Sequence, residues 1–242
     1  MDISQIKQSF KKWFDITSKM FSYNMKIIFA NKFIWFLLAS VGFFIFLVVW
    51  NLFTDVTFTI DVVYKMLLFP GVLLVFYPTC FGIQNDIDAQ MLEILFGIPN
   101  YRYKVWLVRI AMIYVVTFIV LILLTFISSW LLVDFSPFRM VYHLMFPIFF
   151  LGCLGFGLST LVKSGNGTAV VMVIIGFVFF ILSEPLEGSK WNIFLNPFAM
   201  PSDVQEVIWR ETVIYNRIIL SVGVILTVLL GLFRLQKREK FM

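Results

Sequence analysis

The chain alternates between long apolar runs and short polar segments. An apolar run of about 20 residues with few or no charges is long enough to cross a bilayer as a helix. Six such runs occur, and they predict six membrane-spanning helices. Their predicted bounds are 33–53, 62–82, 105–133, 138–162, 168–183 and 218–235. The third run is long for a perpendicular crossing, so we expect it to tilt or to project from the bilayer.

Residues 1–31 show a different pattern, in which apolar side chains recur every three or four positions among lysines. This spacing predicts an amphipathic helix in the headgroup region, and it favours that interpretation over a solvated basic tail. The aromatic residues expected to hold this helix at the membrane surface are Phe10, Trp13 and Phe14. Because this stretch precedes a first apolar run of full span length, no cleavable signal peptide is expected. Residues 32–242 form the predicted six-span domain.

Composition supports a membrane protein. The chain is 61% hydrophobic and only 14% charged, too little polar surface for a soluble domain of 242 residues. The net charge of +5 does not indicate a nucleic-acid partner, because the basic residues lie at the ends of the predicted spans. With six spans, successive connections lie on opposite sides of the membrane. The side that contains both termini then carries 14 Lys and Arg residues, and the other side carries 5. The positive-inside rule therefore predicts cytoplasmic termini, in a membrane such as the bacterial inner membrane.

The segment 184–217 is the largest predicted external segment, and it mixes aromatic residues with prolines. Ser202 and Gln205 have the spacing of a capping box, which predicts that a helix begins there. Short helices that dip into the outer leaflet and an ordinary loop anchored by aromatic residues both fit this composition.

The segment 84–109, QNDIDAQMLEILFGIPNYRYKVWLVR, lies between the second and third spans. Acidic residues come first, followed by an apolar helical face, a break at Gly97-Ile98-Pro99 and a basic restart. This order predicts a short amphipathic helix, a tight break and the start of a long membrane helix. Such a helix, lying across the cytoplasmic mouth of the bundle, is suited to contact a soluble partner.

This segment resembles the loop between spans two and three of ABC-2-type transporter permeases, which reads E-x-G-T-L-E-x-L-L-x-x-P-x-x-R and then Gly-Lys. Aligned on Pro99, the chain has Leu, Glu, Leu, Pro and Arg at the family spacing. It departs from the family at Gln90-Met91, in place of Gly-Thr, and at Val108, in place of Gly. Arg109 stands where the family has the lysine. The residues that carry the resemblance are Leu92, Glu93, Leu95, Pro99, Arg102 and Arg109.

The resemblance implies an all-α permease subunit of an ATP-driven exporter, with a cytoplasmic coupling loop at 84–104. It also implies a dimer with an identical or different second permease subunit, and two copies of a separate ATPase that binds ATP and Mg²⁺. No cofactor is expected in this chain. The docking surface for the ATPase would consist of Met91, Leu92, Glu93, Leu95, Phe96, Pro99, Arg102 and Arg109. The family also has small external helices before the last span. Apolar spans with small external segments favour a lipid-like or amphiphilic substrate.

Two other classes remain as alternatives. An intramembrane enzyme would need a nucleophile and a base brought together, but Ser159 and the single histidine, His143, lie near opposite ends of one predicted span. An ion-coupled secondary transporter would need ionisable residues at mid-membrane, and the predicted span interiors carry almost none. The chain also has no phosphate-binding P-loop sequence, so an ATPase partner is expected to supply the energy.

The remaining polar and small residues predict structure rather than chemistry. The chain has two cysteines, Cys80 and Cys153, and they are expected to be buried, unpaired apolar side chains. With one histidine and two separated cysteines, no metal site is expected. The glycines between 152 and 157, together with Ser159, have the small-residue spacing that allows close helix packing.

Overall fold

The computed structural model describes residues 33–54, 57–88, 102–202 and 204–235, which form six long helices and no strand. A π-helical segment, Arg102–Leu107, leads directly into the third helix. The helices are α1 (Phe33–Phe53), α2 (Ile60–Asp88), α3 (Val108–Leu131), α4 (Pro137–Val162), α5 (Gly165–Ser183) and α6 (Glu206–Arg234). All six are long and apolar enough to cross a membrane. For the described residues, the prediction of an all-α fold with six helices of membrane-spanning length and composition is therefore confirmed.

Helices α2 and α4 form the centre of the bundle. About 67% of the most apolar window of α2 and 56% of that of α4 is buried, against 11% in α1, 17% in α5 and 22% in α6. Helix α2 packs against α1, α3, α4 and α5, and α4 packs against α2, α3, α5 and α6. The peripheral helices keep large apolar side chains exposed, as expected of surfaces that face lipid.

Small residues on α4 allow this close packing, as predicted. A Cβ added to Gly155 would lie 2.9 Å from the Thr79 hydroxyl of α2. A Cβ added to Gly157 would lie 3.3 Å from the backbone carbonyl of Thr227 in α6. These glycines let α4 approach neighbours on two sides, which is how membrane helices gain packing energy without a hydrophobic driving force between them.

Two helices extend at least six residues beyond one end of their predicted spans. Helix α2 has 29 residues and continues to Asp88, six residues beyond its predicted end. Helix α6 also has 29 residues and begins at Glu206, twelve residues before its predicted start. At 1.5 Å per residue each is about 43 Å long, more than the roughly 30 Å of the hydrocarbon core. Both helices are therefore longer than the hydrocarbon core is thick, and hydropathy located the ends of their apolar runs rather than the ends of the helices.

The residues between α5 and α6 form turns, so the short helices considered for this region are not found in 184–202 and 204–205. The helix expected near Ser202 begins at Glu206 and runs without interruption into the sixth span. The side-chain oxygens of Asn192 and Asn196 each accept a hydrogen bond from the backbone N–H two residues on, at 2.9 and 3.0 Å. These Asx turns compete with helix formation.

The same asparagines attach the segment to the bundle. The Asn196 amide donates to the Asp61 carbonyl of α2 at 3.0 Å, and Trp209 of α6 donates to the Pro197 carbonyl at 3.0 Å. Asn216 of α6 donates to the carbonyls of Lys190 and Asn192 at 2.9 and 2.8 Å. The turns between α5 and α6 are thus fixed over the starts of α2, α4 and α6. We refer to this part of the bundle as the 184–205 end, and to the part that contains Asp86 and Arg109 as the Asp86 end.

Candidate functional site at the Asp86 end

The clearest polar site in the described residues is an ion pair between α2 and α3. Arg109 Nη1 lies 2.6 Å from Asp86 Oδ2, and Arg109 Nη2 lies 3.3 Å from Asp86 Oδ1. The two side chains are only 7% and 4% exposed. The guanidinium therefore engages both carboxylate oxygens, the geometry that makes such pairs short and directional. It is the only ion pair among the described residues.

The aromatic ring of Trp106 packs against the guanidinium group of Arg109. The Arg109 guanidinium carbon lies 4.7 Å from the Trp106 ring centroid, a cation–π distance. Trp106 is 2% exposed, and its ring lies 5.9 Å from that of Phe156 in α4. Trp106 belongs to the π-helical segment, a form of helix that often marks functional positions. Arg109 is therefore held by α2 through its charge and by α4 through Trp106.

The last turns of α2 also hold the start of α5. The backbone N–H of Gly165 donates to the side-chain oxygen of Gln84. The preceding residue, Ser164, caps α5 by accepting a hydrogen bond from the Gly167 N–H at 3.3 Å. Just before it, Lys163 ends α4 in the left-handed conformation with φ of 61°. Gln84 and Asp86 thus connect one end of α2 to the starts of both α5 and α3.

The structure places the predicted docking residues as follows. Arg109 is buried and paired with Asp86, and Arg102 is the first residue of the π-helical segment. The other predicted docking residues lie outside the described residues, and their role stays a prediction: Met91, Leu92, Glu93, Leu95, Phe96 and Pro99. The residues predicted to anchor the interfacial helix, Phe10, Trp13 and Phe14, also lie outside them.

Sequence reasoning missed the partners of Arg109. In the sequence pattern, Asp86 is one of two acidic residues, with Asp88, that precede the predicted amphipathic helix, and nothing there indicates a role for Gln84 or Trp106. A signal was present, since an acid near the end of one span and a base near the start of the next lie on the same side of the bundle. Ionisable residues inside membrane segments are costly and usually pair with one another.

The arrangement holds α2 and α3 in direct contact. Both Asp86 oxygens accept hydrogen bonds from Arg109, so this carboxylate is not placed to act as a general base. The described residues contain no group of three or more side chains that could hold a metal ion. Cys80 and Cys153 are free and buried, as predicted. What the pair does provide is a fixed connection between the two helices that flank 89–101.

No family model, curated protein or solved structure matches this chain. What the site can do therefore follows from the chemistry and geometry of its own residues.

Proposed function

We propose that this chain is the membrane-spanning permease subunit of an ATP-driven exporter of the ABC-2 type. It would work as a dimer, with an identical or different second permease subunit, and a separate ATPase would bind to the segment 84–104. The exported substrate would be lipid-like or amphiphilic. Supporting features are the six apolar helices and the motif around Leu92, Glu93, Leu95, Pro99 and Arg102.

The observation that carries the proposal is the ion pair between Asp86 and Arg109. These residues flank the segment 89–101, in which the sequence predicts the docking helix. Because their side chains are buried and in direct contact, the two flanks of that segment are fixed to each other. A partner that displaces the predicted helix would therefore move α2 and α3 together.

The contacts at the end of α2 give such a displacement a route into the bundle. Gln84 connects α2 to the start of α5, and Trp106 connects the π-helical segment to Phe156 of α4. Four of the six described helices, α2 to α5, are thus connected through Gln84, Trp106 and Arg109. These three residues lie within eight positions in sequence of the segment 89–101. In the proposed cycle, ATP binding closes the ATPase dimer, and this motion shifts the four helices and opens a path for the substrate.

Charge reversal at Glu93 tests the proposal. Glu93→Lys changes one charge in the predicted docking helix, and Glu187→Lys makes the same change at an exposed position of the 184–205 end. Like charges brought together across an interface cost several kcal/mol, which is enough to lower binding by orders of magnitude. We therefore expect Glu93→Lys to lose its ATPase partner and Glu187→Lys to keep it.

The measurement is co-purification of the ATPase, followed by ATP hydrolysis of the complex in reconstituted lipid. Both variants should insert and purify like the wild type, because surface substitutions change stability by about 0.5 kcal/mol or less. Equal ATPase retention and turnover in the two variants would contradict docking at this helix.

A further inference from the structure

A second arginine, Arg217 of α6, is buried and has no acidic partner in the described part of the chain. It is 5% exposed, and two of its five N–H groups donate to neutral acceptors: Nη1 to the Asn216 side-chain oxygen at 3.0 Å and Nη2 to the Leu195 carbonyl at 3.3 Å. Its Nε is buried and has no hydrogen-bond partner. The single ion pair in the described residues belongs to Arg109, so no described carboxylate matches the charge of Arg217.

This situation is energetically unusual. A buried charge that lacks a counter-charge costs several kcal/mol of desolvation, and ionisable residues in membrane helices usually face a partner or a pathway. The Phe146 ring, 5.4 Å from the guanidinium carbon, and two neutral oxygens offset only part of that cost. The remaining positive charge and the unused N–H groups favour binding of an anion.

Other polar and charged groups surround the same position. The Tyr64 hydroxyl donates a hydrogen bond to the Leu195 carbonyl at 3.4 Å, the same carbonyl that accepts from Arg217. His143 packs edge-on against the Phe198 ring at 5.6 Å, and its Nδ1 is buried without a partner. The exposed Arg139 lies over the same Phe198 ring at 5.8 Å. Arg139 and Arg217 are both close enough to act electrostatically on His143.

The position of this group along the helices matches the depth of lipid headgroups. Arg217 is the last charged residue before the uncharged run 218–233 of α6. On the same part of the bundle, the ammonium of Lys190 lies 5.8 Å from the Trp191 ring and 5.7 Å from the Tyr215 ring. Aromatic and basic side chains together are typical of the membrane–water interface.

We propose that Arg139, His143 and Arg217, the basic cluster, bind a phosphate group at the 184–205 end. Arg139 is exposed and would meet the anion first, and Arg217 would engage it through the N–H groups that the protein leaves unused. The phosphate is either that of a lipid headgroup or a free phosphate ion, because the recognising chemistry is the same for both. This inference needs no ATPase and stands or falls separately from the function proposed above.

The test uses the purified full-length chain in a neutral detergent. Three probes are compared: a short-chain phosphatidylglycerol, the diacylglycerol with the same chains but without phosphate, and inorganic phosphate at matched ionic strength. For the wild type, we expect saturable binding of the phospholipid and at least tenfold weaker binding of the diacylglycerol. Binding of the phospholipid alone identifies a lipid headgroup as the ligand, and comparable binding of inorganic phosphate identifies the free ion.

Two arginines on α6 provide the matched variants. Arg217→Gln removes the buried charge and should weaken phosphate binding at least tenfold, since hydrogen bonds to charged groups are the strong ones. Arg210→Gln removes an exposed charge from the same helix and should change binding less than twofold. Unchanged binding in Arg217→Gln would overturn the proposal.

If Arg217→Gln fails to fold, the exposed Arg139→Gln replaces it, with an expected loss of about threefold. Equal affinity of the wild type for phospholipid and diacylglycerol, with no effect of inorganic phosphate, overturns the proposal without any variant.

Discussion

The backbone N–H of Gly165, the first residue of α5, donates to the side-chain oxygen of Gln84 in α2. A Cβ added to Gly165 would lie 2.6 Å from that oxygen and 2.5 Å from the ring of Phe81. Both distances are shorter than van der Waals contact, so a larger residue at this position would force Phe81 or Gln84 to shift. The same turn of α2 carries Asp86, and one end of α2 therefore positions the starts of two other helices.

This close contact predicts how the methyl group added by Gly165→Ala changes the stability of the protein. Gly165→Ala should lower stability by about 1–3 kcal/mol, because overpacking forces neighbouring side chains apart. Gly176→Ala, in the middle of the same helix, meets no atom within 4 Å and should be neutral or stabilising by up to about 1 kcal/mol. Thermal unfolding in detergent measures both, with about 2–4 °C expected per kcal/mol. A decrease of the same size in both variants would show that Gly165 is not a contact position.

The six spans could be predicted because each is an apolar run of membrane length. The last residues of α2 and the start of α6 could not, since polar residues such as Asp86 and Glu206 continue these helices beyond their apolar runs. The turns at Asn192 and Asn196 were also missed. They depend on side-chain acceptors that hydropathy does not register, and on contacts with α2 and α6 that are distant in sequence.

The candidate site, like the fold, could be predicted only in part. The segment 84–109 could be identified from the sequence because acidic residues, an apolar helical face, a helix break and basic residues follow one another there. The resemblance to the permease family implied a docking role for Arg109, whereas the structure shows its side chain buried against Asp86 and Trp106. A single sequence does not give the rotation of α2 relative to α3, so the contact between residues 86 and 109 could not be derived. The energetic cost of an unmatched charge in a span was the one available clue.

The prediction of an interfacial helix in residues 1–31 can be tested by removing its aromatic anchors. In the triple variant Phe10→Ser, Trp13→Ser and Phe14→Ser, the spans should still insert, because none of the six apolar helices is altered. Assembly with partner subunits should weaken, since the helix loses the side chains expected to bury in the acyl boundary. Co-purification of the subunits from membranes measures this effect. Normal assembly of the variant would favour a solvated tail.

The predicted orientation can be tested with cysteines at two exposed positions. Cys80 and Cys153 are buried, so both should react little with a membrane-impermeant thiol reagent. On intact cells, the reagent should label a cysteine introduced at Glu187, between α5 and α6, but not one at Asn166, near the start of α5. This result follows if the side with fewer Lys and Arg faces outward. The reverse labelling pattern would invert the topology, and labelling of both positions would contradict the six-span arrangement.

The ion pair at the Asp86 end predicts how α2 and α3 respond to loss of charge. Asp86→Asn leaves the Arg109 charge buried and unmatched, and Arg109→Gln does the same to Asp86. Each change should lower stability by about 3–5 kcal/mol, the usual cost of removing one partner of a buried pair. Asp88→Asn removes an exposed carboxylate from the same turn of α2 and should stay within about 0.5 kcal/mol of the wild type.

The double variant Asp86→Asn with Arg109→Gln separates pairing from independent effects. Because it leaves no buried charge, it should lose clearly less stability than the sum of the two single changes. Thermal unfolding of the four proteins and the wild type in one detergent provides the comparison. Additive losses in the double variant would mean that the two side chains do not compensate each other's charge. The same variants can be assayed for stimulation of the ATPase, which shows whether coupling depends on this ion pair. If the pair transmits the motion of the docking segment to α2 and α3, the double variant should be stable but should not stimulate the ATPase.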